Sequence, residues 1–270
     1  MTTASTSASA PVSTSARARV LQMTLLPVLF VIVWQIWATY LASDPRTPVP
    51  TRVAATFVDL VANGGLVGAL LQSLQRVVSG FAIALVSGTT LGILMGSYPW
   101  VRNSLDPIVE AFRPLAPMAI LPIILLWFGT GSLSATAIVT YAAFFPLLIN
   151  VVHGVSRVDR KLVQAASTMG VPRASILLRV VLPAALPSIL LGARLSMGIA
   201  WTAIIAAELG VGAKSGGGTS GGIGQMMFVF YSYSIDLNAI VVCMIVVGVV
   251  ALLIDRLFRV AERRLMPWRQ

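Results

Sequence analysis

Residues Val163–Pro187 read VQAASTMGVPRASILLRVVLPAALP, and the reading of this stretch decides the fold. It separates two strongly apolar segments. It carries Arg173 and Arg179, and Arg157, Arg160 and Lys161 stand just before it. Charged side chains in hydrocarbon cost a few kcal/mol or more, so its start is too polar to lie there. Its centre nevertheless has helical character. Ala165, Ala166 and Gly170 form a small-residue face, and Ile176, Leu177, Val180 and Val181 repeat at helical spacing until Pro183 and Pro187 interrupt them. A bare face of this kind lets another protein surface approach closely. Gly170 is placed to end the first helix, because glycine readily adopts the left-handed conformation there, and Val171-Pro172 follows.

The flanks explain why such a polar segment stands out. Of the 270 residues, 57% are hydrophobic and 10% are charged, against roughly 25% charged in a soluble domain. The expected fold is an all-α integral membrane protein with about six spans of about 20 residues each. A formal charge of +10 would suggest nucleic acid as a partner of a soluble protein. Here the arginines cluster beside apolar segments and read as topology signals instead. A single cysteine, Cys243, excludes an internal disulfide and any CxxC metal or redox motif.

Residues 1–16 are rich in Ser, Thr and Ala and read as a disordered cytoplasmic tail before a transmembrane domain over 17–270. Spans are expected at Val20–Leu41, Leu70–Met95, Ile108–Phe128, Ala135–Val152, Ser188–Ala207 and Ala239–Phe258, with the polar loop over about 153–187. Thr51–Ala62 is short and amphipathic and is placed on the outer surface. Tyr98–Asp106 reads as an inner loop and Leu209–Leu237 as an outer one. The third span holds Pro114, Pro117 and Pro122, a density tolerated in membranes only where the chain lines a cavity or is covered by protein. In the second span Gly80, Ala84, Gly88, Gly92 and Gly96 recur every fourth residue, a ridge for backbone-close helix packing.

Charge orients the chain. With both termini inside, the inner side collects Arg17, Arg19, Arg102, Arg157, Arg160, Lys161, Arg173, Arg179 and the arginines after Phe258. The outer side keeps only Arg46, Arg52 and Lys214, which places the polar loop in the cytoplasm.

Candidate chemistry is sparse. The run Gly212–Gly224, GAKSGGGTSGGIG, lacks a glycine at phosphate-loop spacing before Lys214-Ser215, so it reads as a flexible outer loop. His153 has no Cys, Asp or Glu at ligand spacing, so no metal site is expected. Charged residues in or near spans are the informative ones: Arg76, Arg113, Arg194 and Glu208. Arg113, Arg194 and Glu208 are candidates for a substrate pathway, with helix-packing ion pairs as the alternative. Arg194 and Glu208 are about four turns apart, too far to pair within one helix.

The order Gln164-Ala165-Ala166, three residues, Gly170, nine residues, Val180-x-Leu182-Pro183 resembles the EAA loop of ABC-importer permease subunits. Gln164 stands where the family has Glu, and Val180 where it has Ile. Arg113-Pro114-Leu115-Ala116-Pro117, Leu121-Pro122 to Trp127-Phe128-Gly129, and Gly192-Ala193-Arg194 are similar to the sulfonate, taurine, nitrate and bicarbonate branch. The resemblance implies a type I importer permease fold in a bacterial inner membrane. It implies a homodimer or similar permease pair, two cytoplasmic ATPase subunits that bind ATP and Mg, and an external substrate-binding protein. Coupling would fall to Gln164, Ala165, Ala166, Gly170, Val171, Pro172, Leu182 and Pro183. The chain itself would carry no catalytic residue and no cofactor, and its cargo would be a small anion or related organic acid. The rival readings are a self-sufficient secondary transporter or channel, which needs an internal repeat and intramembrane acids, and a membrane enzyme, which needs a metal or nucleophile constellation.

Overall fold

The long apolar runs form helices because lipid offers the backbone no hydrogen-bond partners, so each segment must satisfy its own. A computed structural model describes residues 16–41, 46–214 and 221–266, and all regular structure among them is helical. The sequence readings of residues 1–15 and of Ser215–Ser220 in the glycine-rich run lie outside the described residues. Helix α1 is Ala16–Ile36, extended by a π turn at Trp37–Leu41. It is followed by α2 (Pro50–Ala62), α3 (Gly65–Ser97), α4 (Pro99–Phe112), α5 (Leu121–Phe128), α6 (Ser132–Ser156) and α7 (Arg160–Thr168). Helix α8 (Arg173–Ile176) runs through a π turn at Leu177–Val181 into α9 (Leu182–Lys214). Then come α10 (Ile223–Val229), a π turn at Phe230–Ser234, and α11 (Leu237–Leu265).

Four helical stretches are long and apolar enough to cross a membrane: Gly65–Ser97, Ser132–Ser156, Arg173–Gly212 and Leu237–Leu265. Leu25–Tyr40 is a shorter apolar helix, and α4 and α5 are shorter than a span. Side chains on the outward faces are large and apolar, among them Leu126, Trp127, Leu252 and Leu257.

Helix α3 seats its small ridge on α6. A methyl group at Gly80 would lie 2.8 Å from Val139 Cγ1, at Gly92 2.7 Å from Val151 Cβ, and at Gly96 2.6 Å from Val155 Cβ. Gly88 is looser, at 3.2 Å from Leu147 Cδ2. Ala84 is fully buried in the same core cluster as Ala143. Facing residues advance together along both helices, so α3 and α6 are parallel. Helices α6 and α9 use a second small-residue seam that runs antiparallel. There a methyl at Gly154 would lie 2.6 Å from Ser188 Cβ, and one at Gly192 2.6 Å from Asn150 Cβ.

Several sequence expectations are corrected. Tyr98–Asp106 is not a loop: α4 begins at Pro99, where a proline costs no hydrogen bond in the first helical turn. The third span is not continuous. Helix α4 ends at Phe112, residues 113–120 form turns, and α5 starts with Pro122 in its first turn. Pro114 and Pro117 have no N–H to continue the ladder. The polar segment over 153–187 is largely helical: α6 continues to Ser156, α7 follows, and helix resumes at Arg173. Pro183 and Pro187 do not stop that helix. The π turn at Leu177–Val181 precedes Pro183 and absorbs the lost bond as a local widening. Leu209–Leu237 is not a plain outer loop, since α9 extends to Lys214 and α10 follows.

Candidate functional site

Two places concentrate polar chemistry: the α7 segment at one end of the bundle, and the charges held between spans. Helix α7 is bracketed by local signals. The Asp159 side chain caps its start by accepting from the Lys161 N–H at 2.9 Å. At its end Gly170 has φ +75°. The Val171 N–H donates to the Ala166 carbonyl at 3.2 Å and the Gly170 N–H to the Ser167 carbonyl at 3.0 Å. These two bonds form a Schellman cap, which needs a residue that tolerates the left-handed region. Pro172 then opens α8.

The faces of α7 divide sharply. Gln164 and Ser167 line a cavity of about 910 Å³, across from Tyr98, Arg102 and Arg173. Ala165 is exposed and Ala166 half-buried. Leu162 and Met169 continue their row at helical spacing and are 54% and 81% exposed. The result is an apolar, small-centred stripe in which Leu162, Ala165 and Met169 are exposed and Ala166 is half-buried. Val171 is half-buried and Pro172 exposed. Leu182 and Pro183 lie on α9, beyond the π turn and away from this stripe in sequence.

Glu208 is 1% exposed, and three groups hold it. Arg76 Nη1 donates to its Oε1 at 2.9 Å, the Ser73 hydroxyl donates to the carboxylate at 2.8 Å, and the Gly224 N–H donates to Oε2 at 3.0 Å. Ser73 Oγ also accepts from the Ile223 N–H at 2.9 Å, and Arg76 Nε donates to Ser132 Oγ at 3.1 Å. One carboxylate thus ties α3, α9 and the start of α10, while Arg76 reaches the start of α6. A methyl at Gly222 would collide with the Glu208 carboxylate and the Ser73 hydroxyl. Arg194 bonds Asp255 at 2.7 Å and stands 3.7 Å from Glu262, and Asp255 also pairs with Arg259. Glu208 and Arg194 are therefore engaged in ion pairs between helices.

Arg113 differs. It is exposed, and its guanidinium makes no hydrogen bond or ion pair to another described residue. It borders a cavity of about 360 Å³ against α6 and α9, with Tyr141, Phe145, Pro146, Asn150 and Ile199.

Residues 88–267 match the family of binding-protein-dependent transport system inner membrane components. The chain belongs to this family. It is 37% identical over 250 residues to a putative ABC transporter permease of Methanocaldococcus jannaschii, covering 91% of each chain. It is 35% identical to the putative aliphatic sulfonates transport permease of Bacillus subtilis, over 91% of this chain and 86% of that one. It is 33% identical to the taurine transport permease of Escherichia coli, over 90% and 87%. Among solved structures it resembles a chain of the MetNI methionine ABC transporter in an inward-facing form. That match has a TM-score of 0.62 at 21% identity and covers 74% of this chain and 96% of that one. The fold is thus that of ABC-importer permeases, and the chain is a membrane transport permease.

Viewed as a permease, the chain brings some sequence candidates together and separates others. Gln164, Ala165, Ala166 and Gly170 share one short helix and its cap, but Gln164 borders the cavity and the two alanines do not. Arg113, Arg194 and Glu208 do not form one site. Sequence reading missed Leu162 and Met169, whose spacing from Ala165 and Ala166 was the available signal. It also missed Ser73 and the 222–224 backbone as partners of Glu208, which no local pattern announces.

Proposed function

We propose that this permease is the membrane subunit of an ATP-driven importer for a small anion. Two copies, or this chain and a similar one, form the path. Two ATPase subunits, which bind ATP and Mg, dock on the cytoplasmic side, and a binding protein delivers cargo from outside. Positive-inside counting supports cytoplasmic termini in the plasma membrane, with α7 on the same side. The observation that carries the reading is the largely exposed apolar stripe Leu162–Ala165–Ala166–Met169 on a short helix outside the long spans. Exposed apolar side chains at a membrane protein's aqueous end mark a contact surface. A small centre flanked by two large apolar residues suits a groove that grips by shape.

Transport then follows from alternating access. ATP closes the ATPase dimer, the α7 helices move with it, and the spans tilt between inward- and outward-open states. Because α7 joins α6 to α8–α9, it can pass the motion to the α6–α9 seam. The relatives' named cargoes, aliphatic sulfonates and taurine, share a sulfonate and support a substrate with an anionic headgroup. The test is to co-express the chain with candidate ATPase and binding-protein subunits from the same genome, purify the assembly on this subunit, and identify the ligand on the binding protein by mass spectrometry. The reading expects stoichiometric ATPase and an anionic ligand. A cation or neutral sugar on the binding protein, or no ATPase, contradicts it.

A further inference from the structure

Arg113 is fixed in depth by a neighbour. The Tyr141 hydroxyl donates to the Phe112 carbonyl at 2.6 Å and reaches the Leu115 carbonyl at 3.4 Å. Tyr141 is nine residues into the 25-residue α6. At 1.5 Å per residue that is about 14 Å from the helix end, or about 10 Å inside a hydrocarbon layer of about 30 Å. An arginine at that depth without a partner is costly in lipid. The backbone beside it is irregular as well. Residues 113–120 are turns, and the Ala116 N–H has no acceptor among the described residues. Non-helical backbone at membrane depth persists where it lines water or is covered by protein.

The cavity that Arg113 borders has the chemistry of a binding site. Its volume of about 360 Å³ lies in the range of small-molecule pockets, about 300–1,000 Å³. No carboxylate lines it. Asn150 uses one amide N–H on the Pro146 carbonyl at 2.7 Å and has a second to give. Phe145, Ile149 and Ile199 make the opposing wall apolar. The guanidinium fork matches a sulfonate or carboxylate in geometry and charge.

We infer that the permease itself holds a substrate site at Arg113 for a small organic monoanion, headgroup on the guanidinium and aliphatic tail on Phe145, Ile149 and Ile199. This rests on the importer reading and adds that selectivity is exercised a second time inside the membrane, not by the binding protein alone. Arg76 and Arg194 do not serve, because carboxylates already engage them. The apolar wall and the lack of an acid also rank a plain alkanesulfonate above taurine, whose ammonium group would find only neutral acceptors such as Asn150 Oδ1 there.

The test is equilibrium binding of radiolabelled ethanesulfonate to the full chain in lipid nanodiscs, with size exclusion run on every sample. Wild type should bind ethanesulfonate displaceably and taurine more weakly. Arg113→Gln should weaken ethanesulfonate by about tenfold or more, Arg113→Lys by less, and Arg52→Gln, on the distant α2, not at all. Absence of displaceable binding to wild type, or Arg113→Gln binding within twofold of wild type, overturns the inference. So does loss of the native oligomer in both Arg113 variants, which makes the arginine an interface ion pair instead. ATPase co-purification is scored separately on the same variants. Its failure in wild type counts against the importer reading and leaves the binding result interpretable.

Discussion

Gly92→Ala is the sharpest probe of the packing, because it adds one methyl group where none fits. That methyl would lie 2.7 Å from both Val151 Cβ and Val151 Cγ1, and 3.2 Å from the Leu148 carbonyl. Carbon atoms pack at about 3.5–4.0 Å, so α3 and α6 must part by about 1 Å or Val151 must move. Val151 is fully buried, so any shift must displace its packed neighbours. Overpacking of this kind costs about 1–3 kcal/mol. Alanine also gains about 1 kcal/mol over glycine in a helix, which would mask part of the cost. Gly68→Ala on the same helix removes that ambiguity, since a methyl there meets nothing within 4 Å. The difference between the two variants isolates the clash. At about 2–4 °C per kcal/mol for a chain of this size, Gly92→Ala should melt about 2–12 °C below Gly68→Ala. The assay is thermal unfolding in detergent, followed by fluorescence and size exclusion. Equal midpoints, or a higher one for Gly92→Ala, would refute the backbone-close seam.

Glu208→Ala should destabilise the protein by about 3–5 kcal/mol, because it leaves Arg76 mostly buried without its acid. The paired change Arg76→Met with Glu208→Leu should recover part of that loss, and thermal midpoints of all three decide it. Arg194→Met should lower the midpoint much less than Glu208→Ala, since both partners of the Arg194–Asp255 pair are about one-third exposed and Asp255 keeps Arg259; a drop as large as that of Glu208→Ala would contradict this. Gly170→Val should cost about 1–2 kcal/mol through its left-handed backbone alone, as open space surrounds it. Gly170→Asn should cost measurably less by the same unfolding assay.

Period and composition made much of the fold legible. Five small residues at four-residue spacing, Gly80 to Gly96, named the α3 surface that meets α6. The apolar runs located most helices, and Gly170 with Pro172 marked the end of α7. What remained hidden depends on contacts between distant positions. Arg76 and Glu208 are 132 residues apart, and no local pattern joins them. The start of α10 is placed by backbone N–H groups bonded to Glu208 and Ser73, so its glycines read as loop until that partner is seen. Prolines misled in both directions. Pro183 looked like a stop because the neighbouring π turn cannot be read from residue types. Pro114 and Pro117 do break a helix, but the stretch around them is apolar enough to look like one span. Leu162 and Met169 followed the helical period of Ala165 and Ala166, yet their exposure is a tertiary fact.

The central claim is that the exposed stripe of α7 passes the ATPase stroke to the spans. The direct measurement is ATP-driven uptake into vesicles that contain the permease and its ATPase subunits, with the binding protein loaded with the anion it retains on purification. Wild type and Ala166→Trp are compared, and ATP hydrolysis is measured in parallel. The account predicts that Ala166→Trp inserts and folds normally but loses uptake, with hydrolysis either lost or no longer stimulated by the loaded binding protein, while Gln164→Glu, on the cavity side of α7, transports at the wild-type rate. Uptake by Ala166→Trp at the wild-type rate with normal stimulation would contradict it.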